Sequence, residues 1–196
     1  EACYVQKRTE INRDEIKLKY RLNEVLPQQP TLKSIRIFPL KSCAPMIVFD
    51  EWKLSPKGLK YDREWMIVNG NNGTALTQKH EPKMCLIKPY INEDKNILRL
   101  EYPQKEILEI PLNIENALKV EASICETKIC GDRIMGYDCG DSVANWLSDV
   151  LHIDGLRLIR QSDESERKNG NLALANQAQF LLISEPSVKW LMQYVE

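Results

Sequence analysis

Ile37-Phe38-Pro39-Leu40-Lys41-Ser42-Cys43 and Gly58-Leu59-Lys60-Tyr61-Asp62-Arg63-Glu64-Trp65-Met66-Ile67-Val68 are apolar, strand-like runs with charge and hydroxyl gathered at one end. Lys41 and Ser42 close the first run, and Asp62 and Arg63 open the second. Ala75-Leu76-Thr77-Gln78-Lys79 follows, with Thr77 and Lys79 just past a hairpin signal. Strand ends that bring Lys, Arg, Ser and Thr together make an anion pocket, because Arg offers a fixed fork of donors and Lys a point charge. Taken singly, each of these residues also fits a solvated strand end.

Working outward, residues 31 to about 124 read as strand and turn throughout. The pattern predicts strands at Ser34–Phe38, Ile47–Leu54, Glu64–Asn69, Ala75–Lys79, Met84–Asn92, Ile97–Tyr102 and Ile107–Leu112. Asn69-Gly70-Asn71-Asn72-Gly73 and Asn92-Glu93-Asp94-Lys95-Asn96 are hairpin signals, since Asn and Gly tolerate the positive φ such turns need. Short strands so closely spaced predict a mostly antiparallel barrel or sandwich. Residues 1–30 are charged and end in Leu26-Pro27-Gln28-Gln29-Pro30, a linker signal, so this segment is expected to be the tail of a preceding region.

The text changes after Gly136. Val143, Trp146, Leu147, Val150 and Leu151 recur at helical spacing, with Asp138 or Asp141 placed to cap the N-terminus. Leu156–Arg160 reads as a strand, Gln161–Asn171 as a polar loop and Gln179–Ile183 as a buried strand. Ser184-Glu185-Pro186 opens a further helix, with Val188, Leu191 and Val195 on one face. Because the sequence stops inside that helix, residues 125–196 are expected to be the incomplete start of a second domain whose apolar face is partly unprotected. The fold class expected is α+β, mostly β with some α.

Composition narrows the function. A chain of 196 residues, 43% hydrophobic and 28% charged, has the make-up of an ordinary globular protein. The 27 basic and 28 acidic residues leave a net charge of −1, which argues against a general nucleic-acid binder. No apolar run approaches the ~20 residues that span a bilayer, and the first residues carry no signal-peptide pattern. The expectation is a cytoplasmic chain with neither nucleic-acid nor membrane partners, and, since residue 1 is Glu and not Met, a fragment or processed product. The six cysteines (Cys3, Cys43, Cys85, Cys125, Cys130 and Cys139) are then expected as reduced thiols. Cys125 and Cys130 lack the Cys-x2-Cys spacing and the second pair of a structural zinc site, and the two histidines, His80 and His152, cannot make one, so no metal ligands are assigned.

Phe38-Pro39-Leu40-Lys41-Ser42-Cys43, Gly58 to Met66 and Ala75 to Lys79 resemble the N-terminal β-barrel of MOSC proteins. Asp138-Cys139-Gly140-Asp141 with Trp146-Leu147-Ser148, and Leu156-Arg157-Leu158-Ile159-Arg160-Gln161, resemble the opening of the MOSC domain itself. Within that family, Gly58–Val68 and Asn176-Gln177-Ala178-Gln179-Phe180-Leu181-Leu182 look like the molybdenum cofactor sulfurases. The resemblance implies a MOSC N-terminal barrel at 31–124 and the beginning of a MOSC domain at 125–196. It also implies a parent enzyme whose pyridoxal 5'-phosphate domain takes sulfur from L-cysteine, and whose MOSC region receives it on the molybdenum cofactor. The sulfurated cofactor then activates xanthine dehydrogenase and aldehyde oxidase.

No Lys of this chain lies in the glycine-rich context of a pyridoxal site, so the resemblance implies the cofactor-binding part only, inactive by itself and with its catalytic residue unknown. Lys41, Ser42 and Arg63 match positions that line the cofactor site in MOSC relatives; Thr77 and Lys79 join them on proximity in sequence alone. Ser42 also fits a hydroxyl bonded to its own backbone. Asp62 reads as an orienter of Arg63 or a cap. Cys43 reads first as a small buried residue, and second as a thiol whose pKa Lys41 lowers. Trp65 and Trp146 read as core. Two other functions fit the resemblance: an amidoxime-reducing MOSC oxidoreductase, and a non-catalytic module that binds the cofactor.

Overall fold

The computed structural model describes residues 31–114, 119–123, 133–163, 172–176 and 178–195. The chain divides into two units, Glu1–Lys33 and Ser34–Glu196. The expected linker at 1–30, with Cys3, lies outside the described residues, as do Cys125, Cys130, Gln177 and most of the expected loop after Gln161.

Strand β1 (Ile35–Ile37) pairs antiparallel with β2 (Met46–Val48), Ile37 opposite Met46. The long strand expected over Ile47–Leu54 ends at Val48, and Leu54 instead begins a small hairpin of β3 (Leu54–Ser55) and β4 (Gly58–Leu59). Strand β5 (Trp65–Asn69) then turns back through the expected Asn-Gly hairpin, where Asn69 N donates to Thr74 O at 2.9 Å. The following block does not extend into a strand: after a single bridge between Val68 and Ala75 the chain turns at Thr77 and enters a 3-10 helix, Pro82–Leu86. Pro82 pre-sets the first turn and the Glu81 side chain accepts from Lys83 N, so Met84 and Cys85 are helical where a strand was expected.

A three-stranded antiparallel sheet follows, β6 (Lys88–Asn92), β7 (Ile97–Glu101) and β8 (Leu108–Pro111), in that order. Pro89, which cannot donate to a ladder, sits in the edge strand β6. The largest sheet has four antiparallel strands in the order β5, β11 (Leu156–Gln161), β10 (Arg133–Asp138), β9 (Lys119–Ser123). Its strands come from both sides of residue 124. Strands β9 and β10 have no counterpart in the sequence reading, and Gly136, which there marks a change of character, is the reason β10 can pair so closely. A Cβ on Gly136 would stand 2.4 Å from Ile159 Cγ2 and 2.6 Å from Arg160 O.

Strand β5 is buried on both faces, which explains its unbroken apolar run. Trp65 and Ile67 face the main core with Leu156, Leu158 and helix α1 (Asp141–Leu151), whose Val143, Leu147, Val150 and Leu151 form the buried stripe. Each such aliphatic side chain contributes roughly 1.5–3 kcal/mol on burial. Met66 and Val68 face the other way, into a second cluster with Ala75, Ile134, Ile159 and Leu174. No acidic side chain caps α1: its N-cap is Gly140, and Asp138 Oδ1 accepts from Gly140 N while both Asp138 oxygens bind Arg157.

One expectation holds only in part and another is overturned. Among the described residues no sheet closes on itself, so the barrel is not formed as a closed structure. Among the described residues four sheets of two to four strands stand in its place, their strands two to six residues long. Gln179–Ile183 is not a buried strand either: no described strand pairs with it, and Leu181 and Leu182 are 77% and 91% exposed. Helix α2 (Glu185–Met192) starts where expected, with Ser184 Oγ accepting from Ser187 N, and none of its residues is buried. Among the described residues no helix is long and apolar enough to cross a membrane.

Candidate functional site

Two backbone turns and one coil segment converge beside the N-terminal end of β5. The first turn follows Leu40: Lys41 N donates to Trp65 O at 2.8 Å, Cys43 N to Leu40 O at 3.3 Å, and Ser42 takes φ 68°. The second spans Tyr61-Asp62-Arg63, with Tyr61 at φ 66° and Arg63 at φ 55°. Positive φ is costly for residues with a side chain and persists only where surrounding bonds hold it. Here Arg63 N donates to Phe38 O at 2.7 Å and Trp65 N to Pro39 O at 3.1 Å. The two turns are therefore laced together, and the lacing brings the Lys41-Ser42 corner alongside Arg63.

The third segment, Leu172–Ala175, is buried and is anchored by Leu174, which is fully enclosed in the second apolar cluster. With its side chain fixed there, its peptide groups reach both turns. Leu174 N donates to Arg63 O at 2.8 Å, and Leu174 O accepts from Lys41 Nζ at 3.1 Å. Asn176 Oδ1 accepts from the same ammonium at 2.9 Å. Lys41 is only 8% exposed, and such a charge needs these acceptors to stay in the fold.

Arg63 is oriented by Asp62, as the sequence leads one to expect. Asp62 Oδ2 accepts from Arg63 Nη1 at 2.5 Å and Asp62 Oδ1 from Phe38 N at 2.8 Å, while the guanidinium lies 5.1 Å from the Phe38 ring centre. Burial pushes the Asp62 carboxyl above its ordinary value, and the Phe38 N–H and the Arg63 charge partly offset this. Cys43 is buried beside Lys41. Desolvation dominates and drives its thiol pKa up, so the second reading, a lowered pKa, does not hold. Cys139 is likewise pushed up to about 12 by burial.

A cavity of about 220 Å³ opens at this junction, walled by Lys41, Ser42, Arg63 and Asn176 with Ala178 and Leu181 as its apolar side. Whole small-molecule sites run to roughly 300–1,000 Å³; this volume suits one polar group of a ligand. Among the described residues in the wall none is acidic, so the polar side chains are donors, the set an oxyanion requires. Thr77 is not in this wall: its Oγ1 is 2.9 Å from His80 Nδ1, and Lys79 is exposed. Asn176 and the Leu174 carbonyl were missed from the sequence, where nothing marks a coil residue as the acceptor for a lysine 135 positions away. Among the described residues there is no cluster of three or more His, Cys, Asp or Glu able to hold a metal.

Residues 29–154 match the MOSC N-terminal beta barrel domain family. A molybdenum cofactor sulfurase of Bombyx mori is 44% identical over 84% of this chain and 21% of its own length. Molybdenum cofactor sulfurase 2 of Culex quinquefasciatus is 43% identical over 100% of this chain and 26% of its own. The Drosophila willistoni molybdenum cofactor sulfurase is 46% identical over 82% of this chain and 20% of its own. The chain thus spans 20 to 26% of the length of these relatives.

Proposed function

The chain belongs to the MOSC N-terminal beta barrel domain family, and from that premise we propose that it is the cofactor-binding part of a molybdenum cofactor sulfurase, its phosphate site formed by Lys41, Ser42 and Arg63. One observation carries the reading. Side chains from two turns about twenty residues apart converge on one cavity whose described wall offers donors and no carboxylate. The residues fit the phosphate end of molybdopterin: Arg63 gives a fork held in place by Asp62, Ser42 a hydroxyl, and Lys41 an ammonium at the edge. Charge-assisted bonds of this type contribute about 1.5–3 kcal/mol each. The cofactor, when bound, supplies the molybdenum that accepts sulfur; the residues of this chain bind and orient it.

By the same reading the parent enzyme draws sulfur from L-cysteine with a pyridoxal 5'-phosphate domain, and its product activates xanthine dehydrogenase and aldehyde oxidase. The relatives' names favour this over amidoxime reduction. The test is retention: the chain is incubated with molybdopterin released from a molybdoenzyme, passed through a desalting column, and its pterin measured by fluorescence after oxidation. Stoichiometric pterin is expected; none above a control protein contradicts the proposal.

A further inference from the structure

We propose that Asn176 is a direct ligand-binding residue of this cavity, its side-chain amide N–H groups donating to an oxygen of the bound oxyanion beside Arg63 and Ser42. This rests on the reading of the cavity as an oxyanion site and adds to it a neutral donor from a third, distant segment.

The orientation of the Asn176 amide follows from chemistry. A lysine ammonium only donates, so the atom facing Lys41 Nζ at 2.9 Å is the amide oxygen. The NH2 group is then the other branch of the same planar amide. Asn176 is exposed on the cavity wall, and its NH2 makes no hydrogen bond among the described residues. The backbone beneath it is fixed, because Leu174, two residues earlier, is locked by its buried side chain and by bonds from both peptide groups. Asn176 therefore presents two N–H donors from a rigid base, at the mouth of a cavity whose other polar walls are Arg63, Ser42 and Lys41. Donors converging from three segments suit a multi-oxygen anion such as a phosphate group better than a thiolate or halide, which offers a single accepting atom.

The test separates a direct contact from an effect relayed by Lys41. The 196-residue chain is titrated with inorganic phosphate, followed by the amide NMR shifts of Ala175 and Ala178. This is done for wild type, Asn176→Ala, Asn176→Asp, Lys41→Ala, the Lys41→Ala/Asn176→Ala double variant and Arg63→Ala, with thermal melts confirming each fold. Loss of a donor to an anion corresponds to about tenfold weaker phosphate binding in Asn176→Ala, and a similar loss is expected again in the Lys41→Ala background. Asn176→Asp keeps an oxygen on Lys41 but loses the donors, and is expected to weaken binding at least as much. Full affinity in Asn176→Asp, or disappearance of the Asn176→Ala effect once Lys41 is gone, overturns the direct role. Weakening in Arg63→Ala without weakening in Asn176→Ala overturns this inference and leaves the oxyanion site standing. Wild-type affinity in all variants overturns both.

Discussion

The ammonium of Lys41 donates to the backbone carbonyl of Leu174, 3.1 Å away and 133 positions later in the chain. The same residue donates its N–H to the carbonyl of Arg63. One peptide segment thus spans the two cationic turns, and it holds its place because the Leu174 side chain fills the small core behind β5. Packing and site geometry are a single arrangement here.

That linkage makes Leu174 a stability residue with consequences for binding. Leu174→Ala removes a fully buried side chain, and such truncations cost about 2–5 kcal/mol. Urea denaturation should show a loss in that range. Weaker phosphate binding should accompany it in the fraction that stays folded. An unchanged urea midpoint would place Leu174 outside any core.

Acid should act through Glu93. Lys60 first, then Lys53, bond its oxygens at 2.5 Å and 2.9 Å and hold its pKa down, from 4.5 to about 2. A carboxyl lowered by folding contributes stability that is complete above its unfolded pKa near 4.5 and is lost as pH falls toward 2. The pairs are partly open to solvent, which screens them, so the contribution is about 0.2–1 kcal/mol. Glu93→Gln should be less stable than wild type at pH 7, and the difference should shrink on going from pH 4.5 to pH 2. A gap that stays constant across that window refutes the assignment.

The thiols should separate by burial. Cys43, Cys85 and Cys139 are free, but only Cys85 is exposed among these three, while Cys43 and Cys139 have pKa values raised by desolvation. Thiolate is the reacting species. Alkylation of the native protein at pH 8, resolved by peptide mass spectrometry, should modify Cys85 before Cys43 and Cys139, which react only on unfolding. Early labelling of Cys43 would revive an activated thiol beside Lys41.

The convergence of Lys41, Ser42 and Arg63 on one cavity was legible in the sequence, because Lys41-Ser42 and Asp62-Arg63 terminate apolar runs that must be buried, and the ends of neighbouring strands meet. Its second layer was not. Leu174 and Asn176 act from a coil with no periodicity, and their contacts cross 133 and 135 positions. Thr77, named on nearness in sequence alone, lies outside the cavity wall, where the turn into the 3-10 helix carries it. In the fold, β5 and α1 were readable from unbroken or 3.6-residue apolar patterns. Strand β10 was not, because Gly136 reads as a break and functions as a point of close strand approach. Gln179–Ile183 has the composition of a core strand, yet no described strand pairs with it, and composition alone cannot supply the ladder that burial of a strand requires.

The central claim is that Arg63, clamped by Asp62, is a principal charge partner of the cofactor's phosphate. Isothermal titration of wild type and Arg63→Ala with molybdopterin, under nitrogen and at fixed salt, measures it directly, with a thermal melt confirming that the variant is folded. Loss of one charge-assisted bond predicts affinity weaker by about tenfold or more. Equal affinity in a folded Arg63→Ala protein would contradict the account.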